Sequence, residues 1–195
     1  MAKPRTEMIA ETRAKLVAAA RHAFGTVGYP NASMDEFAAG AGLTRGALYH
    51  HFGDKKGLLQ AVIQQIGAEM TARLHKVSAK APSRWQAFVD ECVAYTEIAV
   101  EQEIQRILFR DGTAILGDIS QWPSTNGCIQ ALADALRQLQ ADSAISADID
   151  IEVTARLING ASAHAALWIA NSDDPQATSK RAVEGFRVLL ERLKT

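Results

Sequence analysis

The stretch "LTRGALYHHFGDKKGLL" runs from Leu43 to Leu59, and its reading decides the fold. Thr44 is placed to cap a short helix that closes near His51, Gly53 breaks it, and Asp54 caps the helix that follows. Two adjacent histidines, His50 and His51, end the first helix, and two adjacent lysines, Lys55 and Lys56, open the second. A cation at a helix start faces the positive end of the helix dipole, which costs about 0.3–1 kcal/mol. A polyanionic partner would turn that cost into a gain.

Working outward, "SMDEFAAGAG" precedes this stretch, from Ser33 to Gly42. Ser33 and Glu36 read as a capping box, so a short helix starts at Met34. Gly40 and Gly42 end it within two turns, and Gly42 suits a left-handed turn. Ala38 is small where two helices would cross, while Phe37, Leu43, Leu48 and Phe52 supply apolar anchors. A longer helix, about Thr6 to Val27, comes first, with Ile9, Leu16, Ala20, Phe24 and Val27 as its stripe and Gly28 and Pro30 at its end. Two short helices joined by a glycine turn and braced by a longer one form the helix-turn-helix plan. Its second helix would expose Thr44, Arg45, Gly46, Tyr49 and His50. Arg45 can bond guanine bidentately, and Thr44 can reach a base edge or a phosphate. Tyr49, His50 and His51 can donate to phosphate oxygens, Gly46 permits close approach, and Lys55 and Lys56 flank the free N–H groups of the next helix start. Neighbours on a helix diverge by about 100°, and no residue four positions away completes a chelate, so His50 and His51 do not read as a metal pair.

The totals agree with a polyanion at one end only. Residues 1–60 carry 8 Lys+Arg against 5 Asp+Glu, and residues 61–195 carry 13 against 17, which makes a basic head on an acidic body. The 195 residues suffice for a real core without disulfides or metal. Cys92 and Cys128 form no CxxC pair and suit a reducing, cytoplasmic setting. No signal peptide, membrane span, catalytic motif, phosphate loop or cofactor motif is legible.

The remainder reads as helix throughout, so the fold class is all-α, with a DNA-binding head at 1–56 and a helical body at 57–195. A long helix carries Leu59, Val62, Ile63, Ile66, Met70, Leu74 and Val77 at a 3.6-residue period. Ser83 and Gln86 form a capping box that opens a helix to about Val100, and a further helical segment reaches Leu116. "WPSTNG", Trp122 to Gly127, reads as a loop, followed by helices at about 128–139, 149–170 and 175–193. Trp85, Phe88, Tyr95, Phe109, Trp122, His164 and Trp168 are candidates to line an apolar ligand cavity, with Asn159 as a further polar handle, although core packing is the simpler role for any one of them. The last two helices carry Leu157, Ile158, Ala161, Ala165 and Trp168, then Val183, Phe186, Leu189, Leu190 and Leu193. Two such pairs would form a four-helix bundle across a two-fold axis.

At the head the sequence resembles the DNA-binding domain of the TetR family. Tyr49, His51, Phe52 and Lys55 match its Y-x-H-F-x-x-K signature, and the resemblance covers about residues 6–60. It implies a one-component regulator, a repressor in most such proteins, that binds a palindromic double-stranded DNA operator as a homodimer and is released by a small molecule. Met34 stands where many relatives place a phosphate-contacting Thr, which leaves Ser33 for that role. "LFRDGTAILG", Leu108 to Gly117, also resembles a stretch common in the family. The rival readings are a helical carrier or enzyme without DNA specificity, and a ligand-dependent activator.

Overall fold

The computed structural model describes residues 4–40, 42 and 44–195. Leu43, expected as an apolar anchor, lies outside them. Helix α1 (Arg5–Thr26), α2 (Met34–Gly40) and α3 (Arg45–Phe52) form the head, and α4 (Lys55–Ser78) leads into the body. The body continues with α5 (Arg84–Ile98), α6 (Gln102–Ile104), a π-helical run (Gln105–Gly112), α7 (Thr113–Leu116), a 3₁₀ turn (Ile119–Gln121), α8 (Pro123–Ala141), α9 (Ile151–Ala170) and α10 (Pro175–Glu191). No described helix is long and apolar enough to cross a membrane.

The helix starts follow their capping residues. Thr44, Asp54, Ser83 and Asp174 each accept, through the side chain, the backbone N–H three residues on, which satisfies a donor that the helix itself leaves free. Gly42 sits at φ +67°, the left-handed turn the sequence asks for. At Ser83 the capping residue accepts the Gln86 N–H, while the Gln86 side-chain amide donates to Asp90 one turn on.

In the head, Leu16, Val17, Ala20 and Phe24 of α1 pack against Phe37 and Ala38 of α2 and Leu48 of α3. Phe37 meets the Phe24 ring edge-on at 5.4 Å. The α1 stripe is shorter than its sequence suggests, since Ile9 and Val27 are exposed. The upper core runs without a break from α1 through Leu58, Val62 and Ile66 of α4 to Ile107, Phe109, Trp122 and Ile169. It therefore crosses the head–body junction expected after residue 56. A second core, with Trp85, Phe88, Leu136, Leu139, Ile158, Phe186 and Leu190, fills the lower body. There α5 lies against α4, α9 and α10, and α8 and α10 both pack on α9.

Two elements differ from their sequence reading. "WPSTNG" is not a loop: Trp122 is the N-cap and Pro123 the first residue of α8. Proline's missing N–H costs nothing at that position. The Thr125 hydroxyl donates to the Ile119 carbonyl, tying the new helix to the 3₁₀ turn. The segment before Leu116 is mostly π-helix rather than α-helix, an irregularity that often marks a functional site.

Candidate DNA-binding surface and its link to the body

Helix α3 has two unlike sides. Leu48 is completely buried and locks one side into the core. Thr44, Arg45, Gly46, Tyr49 and His50 are exposed on the other, and His51 is half-buried beside Phe52. An added Cβ at Gly46 would find only the Thr44 hydroxyl, at 3.9 Å, so the space over this glycine is open. Ser33 accepts the Asp35 N–H at the start of α2 and is half-buried.

The Arg45 guanidinium is not free. Nη1 lies 3.3 Å from one oxygen of Asp35 and 3.4 Å from the other. Nη2 donates to the Tyr49 hydroxyl at 3.3 Å, and the guanidinium carbon sits 5.4 Å from the Tyr49 ring centre. Nothing in the sequence singles out Asp35, because an acid in the first turn of a helix already suits the dipole.

The two lysines at the start of α4 differ. Lys56 is exposed. Lys55 is partly buried: its ammonium donates to the Pro30 carbonyl at 3.4 Å and lies 4.5 Å from the centre of the Tyr29 ring. Burial lowers its pKa, opposed by the Asp111 carboxylate. Much of the expected dipole cost is removed locally, since the Asp54 carboxylate stands at the N-cap and accepts from Gly57 at 2.7 Å.

The π-helical run joins head to body. Arg106 donates to the Thr26 and Gly25 carbonyls at 2.5 and 3.4 Å, at the C-terminal end of α1. Arg110, four residues on, donates to the Ala170 carbonyl at 2.6 Å, at the C-terminal end of α9. Both cations thus meet the negative ends of helix dipoles. Asp111 accepts the Tyr29 N–H at 2.7 Å, and Arg21 of α1 reaches Glu103 and Glu69 at 2.7–2.9 Å. Paired to two carboxylates, Arg21 has its pKa raised and Glu103 has its pKa lowered. Apart from the "LFRDG" resemblance, nothing in the sequence marks these residues.

The seven residues expected to line a ligand cavity do not come together. Trp85 and Phe88 belong to the lower core. Phe109 and Trp122 belong to the upper core, and Tyr95 packs against it. His164 and Trp168 are exposed, on α9. Both buried indoles are already satisfied, Trp85 by Glu191 at 3.1 Å and Trp122 by the Gly117 carbonyl at 3.3 Å. These rings fill cores rather than frame a space. A groove of about 510 Å³ lies elsewhere, between α5 and α10, with Glu97, Lys180, Glu184 and Arg187 on its walls.

The last two helices do not expose all the residues expected at a dimer interface. Phe186, Leu190 and Ile158 are 5%, 1% and 6% exposed within the chain's own lower core, so they cannot serve as an interface. The large apolar residues left exposed on these two helices are Val153, Leu157 and Trp168 on α9 and Val188 and Leu189 on α10. Ala161, Ala165, Val183 and Leu193 are half-buried.

Comparison with known proteins bears on this architecture directly. Residues 16–62 match the family model for bacterial regulatory proteins of the tetR family, and residues 85–193 match the tetracyclin repressor-like C-terminal domain. The chain belongs to the TetR family. A TetR-family transcriptional regulator from Pectobacterium atrosepticum is 44% identical, with a TM-score of 0.89 over 99% of this chain and 98% of that one. The HTH-type transcriptional regulator UidR of Escherichia coli is 29% identical over 75% of this chain and 76% of its own length. The HTH-type regulator TtgW of Pseudomonas putida is 43% identical over 63 residues, which span 32% of this chain and about half of TtgW, 47%. This TetR-family protein is therefore a transcriptional regulator of the helix-turn-helix type and not an enzyme.

Proposed function

We propose that the chain is a cytoplasmic repressor that binds a palindromic DNA operator as a homodimer and leaves it on taking up a small molecule. The observation that carries this reading is the two-sidedness of α3, with Leu48 sealed in the core and Thr44, Arg45, Gly46, Tyr49 and His50 together on the open side. Arg45 reads guanine, Thr44 and Tyr49 position the helix, and Lys56 with the start of α4 holds phosphate. Ser33, His50, His51 and the remaining donors of Lys55 add backbone contacts. The homodimer is supported by the exposed stripe Val153, Leu157, Trp168 on α9 and by Val188 and Leu189 on α10.

Ligand release is supported by family membership. A fold relative, FadR of Bacillus subtilis, with a TM-score of 0.67 and 15% identity, was crystallised with stearoyl-CoA. In this chain Trp122 and Trp85 stand in the two cores, so their fluorescence would report a ligand that enters either one.

The test is selection from a random-sequence duplex pool with the full-length protein. An inverted repeat with half-sites about 34–36 Å apart, one helical turn, is expected. Placed over a promoter, that duplex should be transcribed less when the protein is present. Equal retention of all sequences would overturn the reading.

A further inference from the structure

We propose that Asp35 is a specificity-determining residue of the DNA-binding surface, acting by holding the Arg45 guanidinium in register for its base. The inference rests on the reading of Arg45 as the guanine reader. A guanidinium has five N–H donors in a rigid plane, and a guanine edge uses two of them. Asp35 engages Nη1 at 3.3 Å and the Tyr49 hydroxyl accepts from Nη2 at 3.3 Å, with the Tyr49 ring centre 5.4 Å from the guanidinium carbon. Three donors remain, enough for a bidentate contact. Arg45 would otherwise be a flexible side chain at the first turn of α3, and its side chain is 62% exposed. The brace comes from another helix, so it fixes the guanidinium relative to the head as a whole.

Asp35 also acts by its charge. Its carboxylate, 64% exposed, stands on the surface that meets DNA. There it opposes phosphate and penalises binding in which Arg45 finds no guanine. A base reader that is paired in the protein must exchange or share that pairing when it binds, and only the matching base offers two acceptors in the right places. Asp35 thereby lowers affinity for unmatched DNA more than affinity for the operator, which is discrimination rather than tightness.

The experiment uses the duplex recovered by the wild-type protein from a random pool, its single-base-pair variants, and an unrelated duplex. Binding of wild type, Asp35→Ala, Asp35→Asn, Arg45→Ala and the Asp35→Ala/Arg45→Ala double variant is measured at fixed salt. Asp35→Ala should lower discrimination about 3- to 5-fold, and only at the base pair that Arg45→Ala relaxes, while affinity for unrelated DNA is unchanged or higher. Asp35→Asn should fall between, since it keeps an acceptor and loses the charge. The double variant should discriminate no worse than Arg45→Ala alone. If Arg45→Ala relaxes one base pair and Asp35→Ala relaxes none, or relaxes another, the positioning role is overturned and the guanine reader stands. If Arg45→Ala relaxes nothing, the reader itself is overturned. If both Asp35 variants weaken operator and unrelated DNA equally, with a lower melting temperature, Asp35 serves only the start of α2 and the proposal fails.

Discussion

Two residues of α10, three positions apart, should behave oppositely when each is replaced by glutamate. Leu189 is 63% exposed and Phe186 is 5% exposed. Burying a whole leucine side chain is worth about 1.5–3 kcal/mol, so covering the exposed part of Leu189 is worth about 1–2 kcal/mol. A two-fold axis counts every contact twice, which makes about 2–4 kcal/mol for the pair. Losing it should raise the dimer dissociation constant about 30- to 1,000-fold, before any cost of burying the new carboxylate. The protomer should keep its melting temperature, since Leu189 takes no part in either core. Phe186→Glu instead puts a charge among Trp85, Leu136 and Ile158 and should unfold the lower body. Light scattering over a dilution series, circular dichroism melts and operator retention separate the two outcomes. A Leu189→Glu protein that dimerises with wild-type affinity would refute the placement of the interface on this face. A folded Phe186→Glu monomer would refute the assignment of Phe186 to the core.

Other expectations follow from the head and from the buried acids. Gly46→Ala should stabilise the protein by up to about 1 kcal/mol, because alanine favours helix and the space is open, yet weaken operator binding, as a melt and a titration would show. Gly57→Ala should destabilise despite the same propensity gain, because its Cβ would stand 2.1 Å from the Phe52 carbonyl oxygen. Lys56→Ala should flatten the slope of log K against log[salt] by about 1 without changing the melting temperature. Lys55→Ala should also lower that temperature, since the Tyr29 contact is lost. Burial pushes the Cys92 thiol and the Tyr95 phenol up to about 12, from 9.0 and 10.0. Both folded groups stay neutral where the unfolded ones ionise, so stability should hold up to about pH 9 and fall progressively as pH rises towards 12. Denaturant titrations at pH 7, 9 and 11 measure this, and a flat profile would contradict it.

Local chemistry was the legible part of the sequence. A Thr, Asp or Ser at a helix start has one local task, and Thr44, Asp54, Ser83 and Asp174 perform it. Gly42 needed a positive φ and has one. The face of α3 was legible because Leu48 alone among its central residues is apolar enough to be the anchor. Partners in space were not legible. The 3.6-residue period shows that Phe186 and Leu189 both point away from water-loving neighbours, but not that one meets its own chain and the other is left uncovered. The aromatic residues of the body carried the same ambiguity, and two separate cores absorbed most of them. "WPSTNG" has loop-like composition, yet Pro123 at a first helical position and the Thr125 hydroxyl on the Ile119 carbonyl make it a helix start. Asp35 escaped notice because its effect depends on a side chain ten residues away.

The π-helical run joins body to head through hydrogen bonds on both sides. Arg106 and Arg110, one turn apart, hold the C-terminal ends of α1 and α9, while Asp111 holds the loop on which Lys55 rests. A shift of α9 relative to the body therefore reaches α1 through two charged hydrogen bonds on one short element, and reaches the start of α4 through Asp111 and Tyr29. Hydrogen bonds to charged groups are worth about 1.5–3 kcal/mol each. A 100-fold change in operator affinity is about 2.7 kcal/mol, so the loss or re-formation of one or two of these contacts is sufficient. The π-helix matters here because it places Arg106 and Arg110 at ends that a regular helix of the same length would address at a different angle. On the proposed reading the coupling is reciprocal: a ligand that loosens the head from Arg106 must itself bind more weakly, by the same factor, when DNA holds the head in place.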